Sequence, residues 1–458
     1  MRPLFLGAAL AAAPAAPAPA QNPAPAPAPA PAAAPAGKTR PGARLDTATV
    51  AFDTGGVHVI LRRNSANNVV AVNLYLLGGT QLVTQANAGI ETFLLMLSER
   101  GTAKYPRETL RRKTAALGSA IVVEPRDDWT MFGFRGVRAT FDSTWALWAD
   151  RLTAGTLDTA DIEFLRTQVL TAVQQRQDSP DGLVHDLADS ARYAGMPYSV
   201  PSTGNEQSVA SFTAAQLADW RRTKFITSRM LLVVVGNVDR ERVAALAART
   251  FGKLPRGDYK WAPPASAPVN TPASPVLVQR PLPTNYLLGY YVGPPASNAA
   301  DATALRIATA VLSGRLFSEI RSRRNLTYDV DAPFNERAVT DGGLYVTTVY
   351  PDSTLQLMYV EQEYLKRNLV EPENLDIVEE QFITEFYLKN ETNAEQANQL
   401  AQAQVYRGDY RYADRFVLDI HAVTPLAVQY VAQKYMRGFV WAYVGDTTRV
   451  SRGTLGKF

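Results

Sequence analysis

Apolar residues alternate with polar ones, or run unbroken, over Val69–Leu77, Val122–Phe134 and Leu344–Val349, and each stretch predicts a strand. Over Thr159–Gln177 and Glu373–Lys389 they recur at helical spacing and predict long helices. Strand runs and helix runs follow one another without strict alternation. That pattern predicts an α+β fold, with an antiparallel sheet packed with helices in each half of the chain.

Two stretches repeat the same plan about 210 residues apart. Ser211 to Asp239 reads SFTAAQLADWRRTKFITSRMLLVVVGNVD, and His421 to Asp446 reads HAVTPLAVQYVAQKYMRGFVWAYVGD. Each places a threonine (Thr213, Thr424) at a helix N-cap, where its hydroxyl satisfies a free backbone N–H. An amphipathic helix follows and ends in a basic-aromatic pair, Lys224-Phe225 or Lys434-Tyr435. An apolar strand then closes on Val235-Gly236 or Val444-Gly445. The ordered series of cap, helix, pair and strand points to an internal duplication. Between the halves, Pro255 to Pro275 carries Pro263-Pro264, Pro268 and Pro272, which discourage helix and central strand, so this stretch is expected to link two domains.

At 458 residues the chain is long enough for two or three domains. With 46% hydrophobic and 20% charged residues it reads as globular. A net charge of +4 brings no basic block and no interleaving of Lys and Arg with aromatics, which disfavours nucleic acid as a partner. The absence of cysteine excludes disulfides and thiolate chemistry. Arg2, the apolar run Leu4 to Ala13 and the small residues of Ala18-Pro19-Ala20 have the form of an export signal over residues 1–20. The competing reading makes them the start of the Ala-Pro tract that fills residues 21–42. That tract favours extended polyproline geometry and reads as a spacer. No later segment reaches about 18 consecutive apolar residues, so no membrane insertion is expected after signal cleavage. The expected location is periplasmic or secreted.

Leu76 to Thr102, LLGGTQLVTQANAGIETFLLMLSERGT, resembles the insulinase/pitrilysin (inverted zincin) peptidase family at its metal-binding helix. That family shows a Gly-rich strand end, a loop, Gly-Ile, H-x-x-E-H and a closing Gly-Thr. Gly89-Ile90 and Gly101-Thr102 stand at matching spacing. In H-x-x-E-H two imidazoles four residues apart grip zinc from one helix face while the carboxylate activates the metal-bound water. Here the resemblance sets Thr92, Leu95 and Met96 in those three places, which hold neither a strong ligand nor a base. The family's third ligand, a glutamate, falls near Ala172, and its assisting carboxylate near Leu165. Phe164 to Val173 contains no acid. The histidines His58, His185 and His421 are too scattered to replace the set. No metal is therefore expected on this chain, and Thr92 to Leu97 is expected to be a packed core helix.

Gly314 to Val330, GRLFSEIRSRRNLTYDV, resembles the segment through which the second domain of the same family meets substrate. Typical members show Leu-Phe, a helix with Ile-Arg, then a Leu and a Tyr seven residues after that Arg. Leu316-Phe317, Ile320-Arg321, Leu326 and Tyr328 fill those places, so the resemblance makes Arg321 and Tyr328 the family's Arg/Tyr pair. A guanidinium offers a rigid fork of donors to peptide carbonyls, and a phenol can donate to an oxyanion. The plainer alternative is a solvated basic turn of Arg321, Arg323 and Arg324 beside an ordinary strand tyrosine. Gly118 to Phe134 matches a strand that lies beside the cleft in the family, but lacks the usual Asn-Ala before its turn.

Taken together, the resemblance implies an insulinase-like N-terminal domain over 43–254 with a degenerate zinc motif. A linker over 255–275 and a C-terminal domain over 276–458 with the Arg/Tyr pair follow, and the whole would form half of a clamshell. Some members divide the labour between a zinc-bearing chain and a zinc-free partner. This chain fits the second kind: inactive alone, with Arg321 and Tyr328 completing a partner's zinc site, and with peptide as substrate. The alternative is a scaffold or peptide-binding protein with no part in hydrolysis, since fold does not settle function.

Overall fold

The computed structural model describes residues 48–265 and 274–458, which form one compact unit. The expected signal segment, the spacer and part of the expected linker lie outside the described residues. The first half carries strands β1 (Thr49–Thr54), β2 (Val57–Arg63), β3 (Val69–Leu77), β4 (Ala120–Pro125), β5 (Trp129–Val137) and β6 (Met230–Gly236). They form one sheet in the order β1-β2-β6-β3-β5-β4, in which only β2 and β6 are parallel. The second half carries β7 (Val276–Gln279), β8 (Asn285–Pro295), β9 (Thr327–Asp331), β10 (Phe334–Asn335), β11 (Val339–Thr348) and β12 (Val440–Gly445). Their order is β10-β11-β8-β12-β7, with β9 also paired to β11 and with β7 and β12 parallel. The path β2-β6-β3-β5-β4 of one sheet thus recurs in the other, as the duplicated sequence predicts.

The local signals act where the sequence puts them. Thr213 caps the helix Ala214–Lys224 and Thr424 caps Pro425–Tyr435, each accepting from a backbone N–H of the first turn. The long helices Thr159–Asp178 and Pro372–Lys389 match their expected spans. One expectation fails: Val122–Phe134 is not a single strand but the hairpin of β4 and β5. Pro125 ends the first arm, and the Arg126–Asp128 turn is closed by the Arg126 N–H donating to the Trp129 carbonyl at 2.8 Å.

Both faces of each sheet are covered, which explains the unbroken apolar runs of the central strands. One face of the first sheet packs Val72, Leu74, Phe132 and Val234 against helices of its own half. The other presents Tyr75, Trp129, Leu231 and Val233 to Ala397, Leu400 and Ala401 of the helix Asn393–Arg407, which belongs to the second half. The second sheet mirrors this. Its Leu288, Tyr290, Ala442 and Val444 meet Val184 and Ala188 of Pro180–Arg192, a helix of the first half. Each half therefore lends the other one helix. Asn398 pins the first exchange, accepting from the Tyr75 hydroxyl at 2.7 Å, and Asp181 pins the second, accepting from Tyr345 at 2.7 Å.

A polar cluster closes the seam. Arg337, with 11% of its side chain exposed, lies 2.9 Å from Asp189, 3.3 Å from Asp127 and 3.5 Å from Asp341. Tyr193 donates to Asp341 at 2.6 Å, while Tyr198 and Tyr406 donate to Asp128 at 2.7 and 2.8 Å. Burial and the neighbouring Asp189, Asp128 and Asp341 outweigh the Arg337 charge and push the Asp127 carboxyl up to about 6. Asp128 and Asp341 are raised as well, chiefly by burial. An acid raised on folding keeps its proton to a higher pH in the folded chain than in the unfolded one. Stability then falls as pH rises from the ordinary aspartate range toward about 6. Asp127→Asn should make this decline shallower without abolishing it, because Asp128 and Asp341 act in the same sense. Thermal midpoints of the two proteins across that window check this, and parallel profiles would refute it.

Candidate functional site

The helix Ile90–Leu97 begins at Gly89, whose φ of +78° and contact with the backbone of Thr203 and Gly204 leave no room for a Cβ. The helix packs against Thr159–Asp178 with Phe93, Leu94, Ile162 and Leu165 in a common core. Thr92 is buried, and its hydroxyl donates to the Ser202 carbonyl at 2.9 Å. Leu95 is buried in the core. Met96 departs from the expected core helix: 38% of it is exposed, while the other seven residues of Ile90–Leu97 are buried. Ala172 is exposed, and Leu165 fills core rather than facing solvent.

These residues do not fit zinc. A hydroxyl already committed to a carbonyl, an isobutyl group, a thioether and a methyl group supply no strong ligand set. Among the described residues no group of three or more His, Asp and Glu is arranged to hold a metal ion. Each histidine instead pairs with an acidic residue: His58 with Asp53 at 2.8 Å, His185 with the Asp181 carbonyl at 2.9 Å, and His421 with Glu379 at 3.0 Å.

What anchors this helix is a residue the motif reading passed over. Glu91 accepts from Arg229 Nη1 at 2.9 Å and from the Trp220 indole at 3.3 Å, with both charged side chains buried. Arg229 also donates to the carbonyls of Leu77 at 2.8 Å and Lys224 at 2.7 Å. The sequence signal was an acid inside an otherwise apolar run.

Arg321 and Tyr328 do come together. The helix Ala299–Leu316 continues into a π-helical turn over Phe317–Ser322, a widening often found at functional positions. Ile320 of that turn is fully buried, which fixes the turn to the core and projects Arg321 from it. Asn325 then takes a left-handed conformation, φ +50°, and its N–H donates to the Arg321 carbonyl at 3.0 Å. The chain reverses there into β9, and Tyr328 emerges 82% exposed. The Arg321 guanidinium carbon lies 4.8 Å from the centre of the Tyr328 ring and 5.0 Å from that of Phe317.

Charge pairing sets Arg321 apart from its neighbours. Arg315 binds Glu361 at 2.6 Å, and Arg323 and Arg324 share Glu319. Those two arginines hold the Glu319 carboxyl below the usual range, Arg324 most strongly. Among the described residues Arg321 has ring neighbours but no hydrogen-bond acceptor and no ion-pair partner. Its donors are free for something outside the chain. The other stretch singled out in the sequence, around β4, is the outer strand of its sheet and pairs only with β5.

Comparison with known proteins agrees with this architecture. Residues 58–205 match the family described as Insulinase (Peptidase family M16), and residues 211–382 match the Peptidase M16 inactive domain. An uncharacterized zinc protease of Mycobacterium leprae is 27% identical over 284 residues, 60% of this chain and 63% of its own length. Another from Mycobacterium bovis is 24% identical over 389 residues, 83% of this chain and 88% of its own. The crystal structure of a peptidase M16 inactive domain from Pseudomonas fluorescens superposes with a TM-score of 0.78 at 20% identity, covering 87% of this chain and 98% of that one. With matches to the family in both halves and this fold beneath them, the chain belongs to the insulinase family, peptidase family M16.

Proposed function

We propose that this chain is the zinc-free subunit of an exported heterodimeric M16 peptidase, contributing Arg321 and Tyr328 to a zinc site held by a partner of the same family. The observation that carries this reading is the asymmetry between the two halves. The positions assigned to metal binding are filled by Thr92, Leu95, Met96 and Ala172, while Arg321 stands unpaired beside an exposed Tyr328. A pure scaffold has no use for an unpaired guanidinium and an exposed phenol held together.

In this reading each chain forms half of a clamshell and the substrate is an unfolded peptide enclosed between them. Arg321 donates to carbonyls of the bound peptide, which positions it in ground state and transition state alike. Tyr328 donates its hydroxyl proton to the oxygen that becomes negatively charged when the scissile carbonyl turns tetrahedral. The export-signal form of residues 1–20 and the Ala-Pro composition of 21–42 support a periplasmic or secreted location for the complex.

The test is hydrolysis of an internally quenched, unstructured peptide with zinc supplied. This chain, a zinc-motif M16 chain from the same cell, and their mixture are assayed side by side. Cleavage is expected only in the mixture. Equal cleavage by the zinc-motif chain alone would reduce this protein to a scaffold or peptide binder. Cleavage by this chain alone would overturn the assignment of a blank metal site.

A further inference from the structure

Phe317 is the first residue of the π-turn, and 46% of it is exposed although it is a large apolar side chain. Its neighbours Leu316 and Ile320 are fully buried and hold the turn to the core, so the fold does not need the Phe317 ring for packing. What the ring touches is Arg321, four residues on and 5.0 Å away. Residues at this spacing share one helix face, and a cation over a ring is attracted to its negative face. Tyr328 approaches the same guanidinium from β9 at 4.8 Å.

We propose that Phe317 is a positioning residue for peptide binding: together with Tyr328 it holds the unpaired Arg321 guanidinium in one orientation, leaving its N–H edges for the carbonyls of an incoming peptide. The inference rests on the substrate role proposed for Arg321. An arginine with neither acceptor nor ring neighbours samples many rotamers, and fixing it on binding costs conformational entropy. A ring that holds it beforehand removes part of that cost. Binding expressed equally in ground and transition state appears in KM, not in kcat.

The experiment is steady-state hydrolysis of the quenched peptide by the mixed complex, with Phe317→Ala, Phe317→Trp and Arg321→Ala in this chain and the wild-type partner. Phe317→Ala is expected to raise KM about fivefold at nearly unchanged kcat, the size of one lost cation–ring contact. Phe317→Trp should restore KM, since indole is the better ring for a cation. If Arg321→Ala raises KM and Phe317→Ala does not, the positioning role is wrong and the role of Arg321 stands. If Arg321→Ala changes neither constant, the substrate role itself fails and this inference with it. If alanine and tryptophan at 317 lower kcat equally at constant KM, Phe317 serves only the local fold.

Discussion

In the mixed complex, Tyr328→Phe is expected to lower kcat by about 100- to 1,000-fold while KM and the affinity between the two chains stay unchanged. The figure is that of removing one donor to a developing oxyanion, about 2.7–4 kcal/mol. The substitution deletes a single oxygen from a side chain that is 82% exposed, so no packing is lost. The phenyl ring that remains can still lie against Arg321, which keeps peptide binding intact. Steady-state kinetics with sizing of the complex measures both quantities. Unchanged kcat in an intact complex would remove Tyr328 from the chemistry, and a raised KM with constant kcat would make it a binding residue like Arg321.

Arg229→Met should lower the stability of this chain by about 3–5 kcal/mol, the usual cost of leaving one partner of a buried ion pair alone. Arg229 is 1% exposed and Glu91 5%, so water cannot replace the lost contacts. Besides the Glu91 carboxylate, the substitution orphans the carbonyls of Leu77 and Lys224, which join the end of β3 to the corner after Ala214–Lys224. Adding Glu91→Leu should recover much of the loss, because two apolar side chains leave no charge buried. Denaturant midpoints of the single and double variants decide this. A double variant no better than the single one would show that the orphaned carbonyls, and not the bare carboxylate, dominate.

Much of the fold was legible because the duplicated segments carry strong local signals. Thr213 and Thr424 cap where a short polar side chain before an apolar period should, and the strands that follow are apolar on both faces. The helix Ile90–Leu97 was legible too, since Gly89 and Gly101 bracket an apolar run whose side chains, Met96 apart, are buried. The helix exchange was not. The contact faces of Pro180–Arg192 and Asn393–Arg407 rely on small residues such as Ala188, Ala397 and Ala401, whose periodicity is faint, and nothing local says which sheet a helix will cover. The seam cluster was hidden for another reason. Asp127, Asp189 and Arg337 are far apart in sequence and read singly as surface charges. The π-turn leaves the apolar spacing of its helix almost intact, so Phe317 passed as part of a motif and its contact with Arg321 was unseen.

The reciprocal loan of helices is the arrangement that a fused homodimer would leave behind. A half-length chain that lent a helix to an identical copy, and borrowed one back, would form a homodimer with the connectivity now seen within this single polypeptide. Fusing two such genes end to end keeps every contact of that dimer while freeing the copies from the requirement to stay alike. Each copy could then change its own side chains, with neither change imposed on its twin. The crossed helices would tie the two copies to each other however far their surfaces drifted apart, since neither sheet can be covered without the other half.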